Sequence, residues 1–587
     1  MLPNDPLTRV LYVDLGKRSY EVAERPELFE VGLGGAGVGI RLLAEECPPG
    51  ADPLSPANPI VLAVGPLVGH YPIASKTVAM FKSPHTGNLG ESHCGGRSAV
   101  SIRMAGYGAI VLRGASVAPV YLVVEDGNVA FRDASALWGV RSSYTVGRVI
   151  REREPGSGER TIMRIGRAGE SGITYASVIT ETYRHFGRLG LGAVFGSKKL
   201  KALMVTGRRA LPVADRRAYR QAYDAIYQSA TQSTLMKKYH DLGTAMNVLP
   251  LNEIGGLPTR NLQSGRFEGA DGISGEHLAE QYLGRRVACA HCPVACIHLA
   301  AVRTPHPSEP YFWKTSMIGY DHELIYGLGS LLGIAQPAPM LELFDAVEVQ
   351  GLDAMTTGVV LAWATEAQER GLIGGRETDG LKLAWGDAST YAQAVERIVT
   401  QPTPLYTAMG RGVEHVAAQY GGSEFALAFG GNEMPGYHTG PGCHLGYLTG
   451  ARHSHLDSAG YALDQKALAQ GSTLTPEGVA DALLNEERWR QVLSSLVVCF
   501  FARGVYSGEV SQRALEAIGV SLGAADLQRL GAETLRLKDA FKRREGFDLT
   551  GLRIPQRILE TTSPLGAVDE AFMRAALARF AQQVQTD

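Results

Sequence analysis

Cys289-Ala290-His291-Cys292-Pro293-Val294-Ala295-Cys296 is the stretch from which the rest of the chain is read, since it holds three of only seven cysteines in 587 residues. Random placement of a small buried residue does not produce such a cluster. Two thiolates at C-x-x-C spacing grip one metal centre from a tight turn, and a third, after three intervening residues, reaches it from the turn that follows. A cubane [4Fe-4S] cluster needs a fourth thiolate, for which Cys47, Cys94, Cys443 and Cys499 are available. Cys499 is favoured, because Ser494-Ser495-Leu496-Val497-Val498-Cys499-Phe500-Phe501 is an apolar run that would keep water from one side of a cluster. A Cys3His zinc knot using His291 or His298, and plain burial, are the competing readings. Zinc sites more often show two separated C-x-x-C pairs, or C-x-x-C with two later histidines. Radical enzymes built on S-adenosylmethionine use the reverse order, C-x-x-x-C-x-x-C, which this stretch does not have.

Lys plus Arg number 57 against 59 Asp plus Glu, a net charge of −2 with no dense basic block, so nucleic acid is not an expected partner. An apolar share of 45% is ordinary for globular protein, and the length allows about three or four domains. The first residues lack a charged segment followed by an apolar one, and no apolar run approaches the roughly 20 residues of a membrane span. The expectation is a cytoplasmic protein in a reducing compartment, where clustered thiolates bind metal rather than pair.

Texture divides the chain into α+β architecture: a β-rich N-terminal cofactor-binding domain followed by two mainly α-helical domains. Residues 1–208 carry strand-like runs at 10–15, 60–64, 109–112 and 120–124, broken by Gly, Pro and Asp-Gly. Residues 209–417 turn to long helical segments at 215–240, 340–351 and 356–370, with apolar residues at steps of three and four. Residues 418–587 mix Gly-rich loops with helices at 486–501 and 525–542. The run Gly32-Leu33-Gly34-Gly35-Ala36-Gly37 contains G-x-G-x-x-G, but no convincing strand precedes it and Asp52 sits in Pro-rich loop, so a dinucleotide fold is not expected. Residues 184–199, Arg184-His185-Phe186-Gly187-Arg188-Leu189-Gly190 onward, combine bare backbone with cationic side chains, which suits phosphate. Lys82-Ser83-Pro84-His85 and Ser92-His93-Cys94-Gly95-Gly96-Arg97 are turn-like segments that would complete such a site.

Together these segments resemble the aldehyde:ferredoxin oxidoreductase family, tungsten enzymes with a bis-pterin (tungstopterin) cofactor and one [4Fe-4S] cluster. The likeness runs in order through Leu54-Ser55-Pro56-Ala57-Asn58, Gly65-Pro66-Leu67, Lys82-Ser83-Pro84, Gly95-Gly96, Ala105-Gly106-Tyr107-Gly108, residues 187–199, the three cysteines, Gly329-Ser330, Gly351-Leu352-Asp353, Cys499 and Pro555-Gln556-Arg557. It implies that Cys289, Cys292, Cys296 and Cys499 hold the cluster. The family's pterin motif D-x-x-G-L-D reads Glu348-Val349-Gln350-Gly351-Leu352-Asp353 here, which keeps a carboxylate at each end. The companion D-x-x-G-L-C keeps only its cysteine, with Ser494 and Val498 at the pterin positions. Phosphate and a bridging Mg2+ would fall to Lys76, His93 with Gly95, and Arg184, His185 and Gly187. Lys for Arg at 76 loses a bidentate fork, and His for Asn at 93 loses a carbonyl ligand.

For the chemistry, the resemblance implies a Glu and a His near the metal. Glu323, in Asp321-His322-Glu323, is expected as general base and His455, in Arg452-His453-Ser454-His455, as hydrogen-bond partner of the substrate carbonyl; His453 and then His444 are the next choices. Residues 438, 444, 453 and 455 are all histidines. The implied reaction is oxidation of an aldehyde to a carboxylic acid on tungsten, or molybdenum, with electrons passing to ferredoxin or an Fe-S subunit in a homodimer or hetero-oligomer. Aromatic acyl-CoA reduction and hydroxycarboxylate oxidation on the same cofactors are alternatives, and a zinc-stabilised scaffold is the non-enzymatic one. A bis-guanine-dinucleotide enzyme would carry its cysteines near the N-terminus.

Overall fold

The computed structural model describes residues 5–156, 158–181, 183–306 and 308–586. The N-terminal part is built on two six-stranded sheets. The first uses β1 (Arg9–Asp14), β2 (Ser19–Glu24), β3 (Ile60–Ala63), β4 (Thr77–Lys82), β5 (Leu89–Cys94) and β6 (Ala109–Arg113) in the order β2-β1-β6-β3-β4-β5. The second uses β7 (Val120–Glu125), β8 (Asn128–Asp133), β9 (Glu159–Ile165), β10 (Val178–Ile179), β11 (His185–Phe186) and β12 (Leu200–Gly207) in the order β11-β10-β9-β12-β7-β8. The expected runs at 10–15, 60–64, 109–112 and 120–124 are β1, β3, β6 and β7. β3 and β4 are buried at every residue, the pattern of strands covered on both faces. β5 and β11 each end their sheet, and the two edges meet, tied by Ser92 Oγ donating to Gly187 O (2.8 Å) and Ser83 Oγ to Leu189 O (2.8 Å). The turns that follow them, at Gly95 and Gly187, therefore open side by side.

The glycine run of residues 32–37 serves packing, not a nucleotide. The helix Gly35–Glu46 butts its N-terminus against the C-terminus of the helix Pro476–Leu496, where Gly37 N–H donates to Ser495 Oγ (3.1 Å). A Cβ on Gly35 would lie 2.1 Å from Ser494 O, and one on Gly65 2.7 Å from Ser495 O. Only glycine lets these backbones approach so closely.

From Arg216 the chain is mostly helical, with two departures from that expectation: β13 (Leu283–Val287), β14 (Ile297–His306) and β15 (Glu309–Tyr320) form a three-stranded antiparallel sheet, and the short β16 (Ala428–Phe429) and β17 (Asn432–Glu433) pair with each other. β-branched and aromatic residues favour the three-stranded pleated ribbon, and the first half of β15 exposes Tyr311, Phe312 and Trp313. β14 leaves the cysteine stretch directly, and β15 leads into the helix His322–Leu328. The helix Ala354–Glu369 is buried on nearly every side and sits in a core that draws residues from 168 to 584. The texture break near 418 thus falls inside one continuous core. Among the described residues no single helix is long and apolar enough to cross a membrane.

Candidate active site

The three clustered cysteines occupy a loop held by backbone bonds from two other segments. Ala290 N–H donates to Gly96 O (2.9 Å), Ile73 N–H to His291 O (3.2 Å), and Cys499 N–H to Ile73 O (3.0 Å). The segment at Ile73 therefore couples Cys499 to the loop that carries Cys289, Cys292 and Cys296. Ile73, His291, Ala295 and Val497 all have positive φ, between 52° and 66°. Left-handed non-glycine residues cost roughly 1–3 kcal/mol each and gather where surrounding structure imposes a shape for function. Burial pushes the Cys292 thiol up to about 12, with Cys289, Cys296 and Cys499 adding to the shift, which places the four sulfurs within electrostatic reach of one another. Arg184 donates toward Cys296 Sγ at 3.7 Å. Although burial works against its charge, Cys289, Cys296, Asp321 and Cys499 outweigh it and hold the guanidinium protonated. Among the described residues no three Cys, His, Asp or Glu side chains converge on a single-ion position. Four thiols within electrostatic reach of one another are the kind of donor set that an iron-sulfur cluster takes.

The other cysteines lie apart from this arrangement or behind it. Cys443 Sγ contacts Tyr437 O and the Tyr447 hydroxyl, and Cys47 is buried in the N-terminal core. Cys94 is fully buried at the end of β5, its thiol raised to about 12 by burial and influenced by Lys76 and Cys289. It backs Gly95 rather than joining the loop.

Beside the cysteines is a cavity of about 310 Å³. Lys76, His93, Gly95, Arg184, His185, Gly187, Glu348, Leu352, Asp353, Val498, Cys296 and Cys499 all line it, as do Glu323 and His455. A Cβ on Gly95 would lie 3.0 Å from Cys289 Sγ and 3.4 Å from Lys76 Nζ, and one on Gly187 3.0 Å from Asp353 Oδ1, so bare backbone fills both turns. The two pterin-motif segments have the same local form. Each closes a helix with a left-handed residue, Gly351 (φ 77°) or Val497 (φ 57°), and returns the next N–H to the preceding turn, Leu352 to Val347 O (3.3 Å) and Val498 to Leu493 O (2.9 Å). Glu348 Oε2 lies 2.7 Å from His185 Nε2 and accepts from the Tyr144 hydroxyl at 3.3 Å. Asp353 accepts from the N–H groups of Thr356 (2.9 Å) and Arg188 (3.1 Å). Ser494, expected among the pterin contacts, lies outside the cavity wall, because the helix end turns its carbonyl onto Gly35.

His93 belongs to a buried chain. Its Nε2 is 2.6 Å from Glu91 Oε1, and Glu91 Oε2 is 2.5 Å from Lys538 Nζ. Burial lowers His93 to about 4. Glu91 is held ionised: burial opposes its charge, but Lys538 and His93 outweigh it. With both Glu91 oxygens engaged and His93 turned to one of them, these two side chains are committed to each other and to Lys538.

Glu323 enters the cavity from the first turn of the helix His322–Leu328, capped by Asp321. Its Oε2 accepts from Gly436 N–H (3.0 Å) and its Oε1 is 3.4 Å from His455 Nε2. This is a neutral pair rather than an ion pair: burial pushes Glu323 up to about 8 and drives His455 well below the usual imidazole range. The next-choice histidines are taken elsewhere. His453 is bonded to Tyr447 O (2.9 Å) and Lys542 Nζ (2.9 Å), and His444 to His438 Nδ1 (2.9 Å), all away from the cavity wall. Sequence reasoning missed Arg188, whose Nε donates to Asn432 Oδ1 (3.0 Å) and whose guanidinium also meets Glu433 O; the glycine-rich cationic run around it was the available signal. Tyr437, Tyr461, Glu91 and Lys538 gave none, since no spacing marks them.

Residues 10–207 match the aldehyde ferredoxin oxidoreductase N-terminal domain, and residues 219–583 match domains 2 and 3 of the same enzyme. The tungsten-containing aldehyde ferredoxin oxidoreductase of Thermococcus kodakarensis is 32% identical over 574 residues, covering 95% of this chain and 92% of that protein. The protein of that name from Pyrococcus furiosus is 30% identical over the same shares. The active-site complex BamBC of benzoyl coenzyme A reductase shares the fold, with a TM-score of 0.83 at 20% identity over 99% of this chain and 94% of that one. Two family domains in sequence across nearly the whole length show that this chain belongs to the aldehyde ferredoxin oxidoreductase family, an oxidoreductase family whose tungsten-containing members imply a tungstopterin and an iron-sulfur cluster.

Proposed function

We propose that the chain oxidises an aldehyde to its acid, RCHO + H2O → RCOOH + 2H+ + 2e−, and delivers the electrons to ferredoxin or an Fe-S partner. The observation that carries this reading is the neutral Glu323–His455 pair, set in the wall of the cavity that Cys296 and Cys499 also line. When bound, tungsten or molybdenum on the bis-pterin supplies the two-electron chemistry and a [4Fe-4S] cluster passes electrons outward singly. Cys289, Cys292, Cys296 and Cys499 would hold that cluster. Lys76 and Arg184 would meet pterin phosphate, and Glu348 and Asp353 would accept from the pterin edges. The protonation states exchange the roles expected of the acid pair. Glu323 arrives as the proton donor to the carbonyl oxygen, and the unprotonated His455 accepts the proton of the attacking water. Glu323 then serves as a base only after it has given its proton up. Apolar neighbours of the cysteine loop, Val294 and Phe500 among them, keep water away.

Anaerobic metal analysis with an aldehyde assay tests this. Tungsten or molybdenum with about four irons per chain and ferredoxin reduction by an aldehyde support it. Zinc alone defeats it, and acyl-CoA reduction or hydroxycarboxylate oxidation without aldehyde turnover would reassign the reaction.

A further inference from the structure

The four cysteines of the site do not all face the same way. Cys296 and Cys499 line the cavity, whereas Cys289 and Cys292 lie behind its wall, and His291, between those two, is exposed at the tip of the loop. One side of the group therefore meets the cavity and the other meets solvent. The segments bonded to the loop are cationic. His240 Nδ1 donates to Val294 O (2.8 Å), which ties the last turn of the helix Thr234–Leu242 to the loop, and Arg286 of β13 donates to His240 O (2.9 Å). The Gly96 carbonyl that accepts from Ala290 N–H (2.9 Å) brings Arg97 alongside. Lys237, Lys238, Arg286 and Arg97 are all exposed. The helix, β13, the turn at 95–97 and the loop at 289–296 together hold five Lys and Arg against one Asp, in a chain whose totals are 57 cations and 59 carboxylates. That carboxylate, Asp241, is already taken by Lys237 at 2.5 Å.

Cations on the last turn of a helix also suit its dipole, which accounts for Lys238. Arg97 has no such reason, because it stands at the N-terminus of the helix Ser98–Ala105, where a cation opposes the dipole. With substrate on the cavity side, electrons leave by the solvent side, and a face of one charge steers partners of the opposite charge toward it. We propose that the face around His291, flanked by Lys238, Arg286 and Arg97, is the docking surface of an acidic iron-sulfur protein that carries one electron at a time. The proposal rests on the aldehyde-oxidising reading for the source of the electrons: RCHO + H2O → RCOOH + 2H+ + 2e− reduces two carriers by one electron each. A carrier must therefore dock and leave twice per turnover, which suits a small, charge-steered contact better than a broad apolar one. The exposed Tyr311, Phe312 and Trp313 are a poor alternative. Trp313 pairs with Pro305, nine residues along the chain from Cys296 and so roughly 30 Å down the ribbon.

The test titrates the metal-loaded chain with an oxidised, acidic 2[4Fe-4S] ferredoxin by calorimetry, locates the contact by hydrogen exchange, and compares ferredoxin with methyl viologen as electron acceptor. Ferredoxin is expected to protect residues 234–242 and 285–296. Its affinity should weaken steeply between about 0.1 and 1 M salt, as the screening length drops from about 10 to 3 Å. The double reversal Lys238→Glu with Arg97→Glu should weaken ferredoxin binding at least about tenfold at low salt and raise its KM, because like charges then face each other. Bound iron and the rate with methyl viologen should be undiminished, since the viologen is small and cationic. Lys17→Glu, in the turn between β1 and β2 beyond the opposite edge of the first sheet, should leave ferredoxin binding unchanged. Ferredoxin binding that ignores the double reversal, protection at Tyr311–Trp313 in place of the loop, or an equal loss with methyl viologen would overturn the proposal. Aldehyde-driven viologen reduction without ferredoxin binding sinks this inference alone. Ferredoxin binding at this face without any aldehyde turnover sinks the assigned reaction and leaves the docking surface standing.

Discussion

Glu323 shows how a side chain acquires chemistry that its position in the chain does not disclose. Its carboxyl is buried against Gly436 and His455, each more than a hundred residues away, and that burial rather than any neighbouring charge leads its rise to about 8. The sign of the pH effect follows. The unfolded chain releases this proton near 4.5 and the folded protein keeps it to about 8, so the stability it contributes is full below 4.5 and is lost as pH rises through 8. Glu323→Gln has no proton to lose, and the Tm of the wild type relative to this variant is expected to fall between those limits; a constant difference would show the carboxyl ionised throughout. The same variant should lower turnover by at least about a hundredfold with tungsten retained, in line with removal of a proton donor. The cysteines were more open to reading, because ligand spacing is a local property. Cys292→Ser is expected to bleach the absorbance of the cluster, and an unchanged anaerobic spectrum would remove Cys292 from the ligand set.

Glycines illustrate the ambiguity of elements. Residues 32–37 match a phosphate-binding pattern letter by letter, yet their freedom is used by two helix ends in contact. Gly35 has φ +37° and would put a Cβ 2.1 Å from Ser494 O, at the helix end that carries Val498 and Cys499 into place. Gly35→Ala is therefore expected to cost roughly 2–4 kcal/mol, from overpacking plus left-handed strain, and to reduce bound iron. Gly50→Ala, at φ +70° with open space around it, carries strain alone and should cost about 1 kcal/mol. Urea midpoints and iron content of the two variants compare the effects. The second glycine run, at Gly187, does open onto the cavity, and only the strand edge β11 meeting β5 distinguishes it from the first.

Across the whole molecule, the two ends of the chain are locked together beneath the site. Glu91 on β5 and Lys538 on the helix Ala524–Arg544 pair at 2.5 Å with side chains 1% exposed each, and Lys538 also reaches Gln491 Oε1 (2.5 Å). Removing one member leaves the other charged and buried, so Glu91→Gln or Lys538→Met is expected to cost about 3–5 kcal/mol. The double variant should recover much of that loss, because no lone charge remains. Additive losses in the denaturation midpoints would mean that the pair is not coupled.

Local spacing was enough to mark the cysteine loop, the alternation of strand and turn in the first two hundred residues and the long helices beyond, whereas the pterin-motif segments were marked by family resemblance. The spacing signals depend on neighbours within one or two turns. What required the folded chain was the joining of Ile73 to both His291 and Cys499, the meeting of Glu323 with His455, the rings of Tyr437 and Tyr461 beside that pair, and the Glu91–Lys538 pair. Burial and electrostatic environment are sums over every element that packs around a group, and those elements come from separations of tens to hundreds of residues, so no window along the chain contains them.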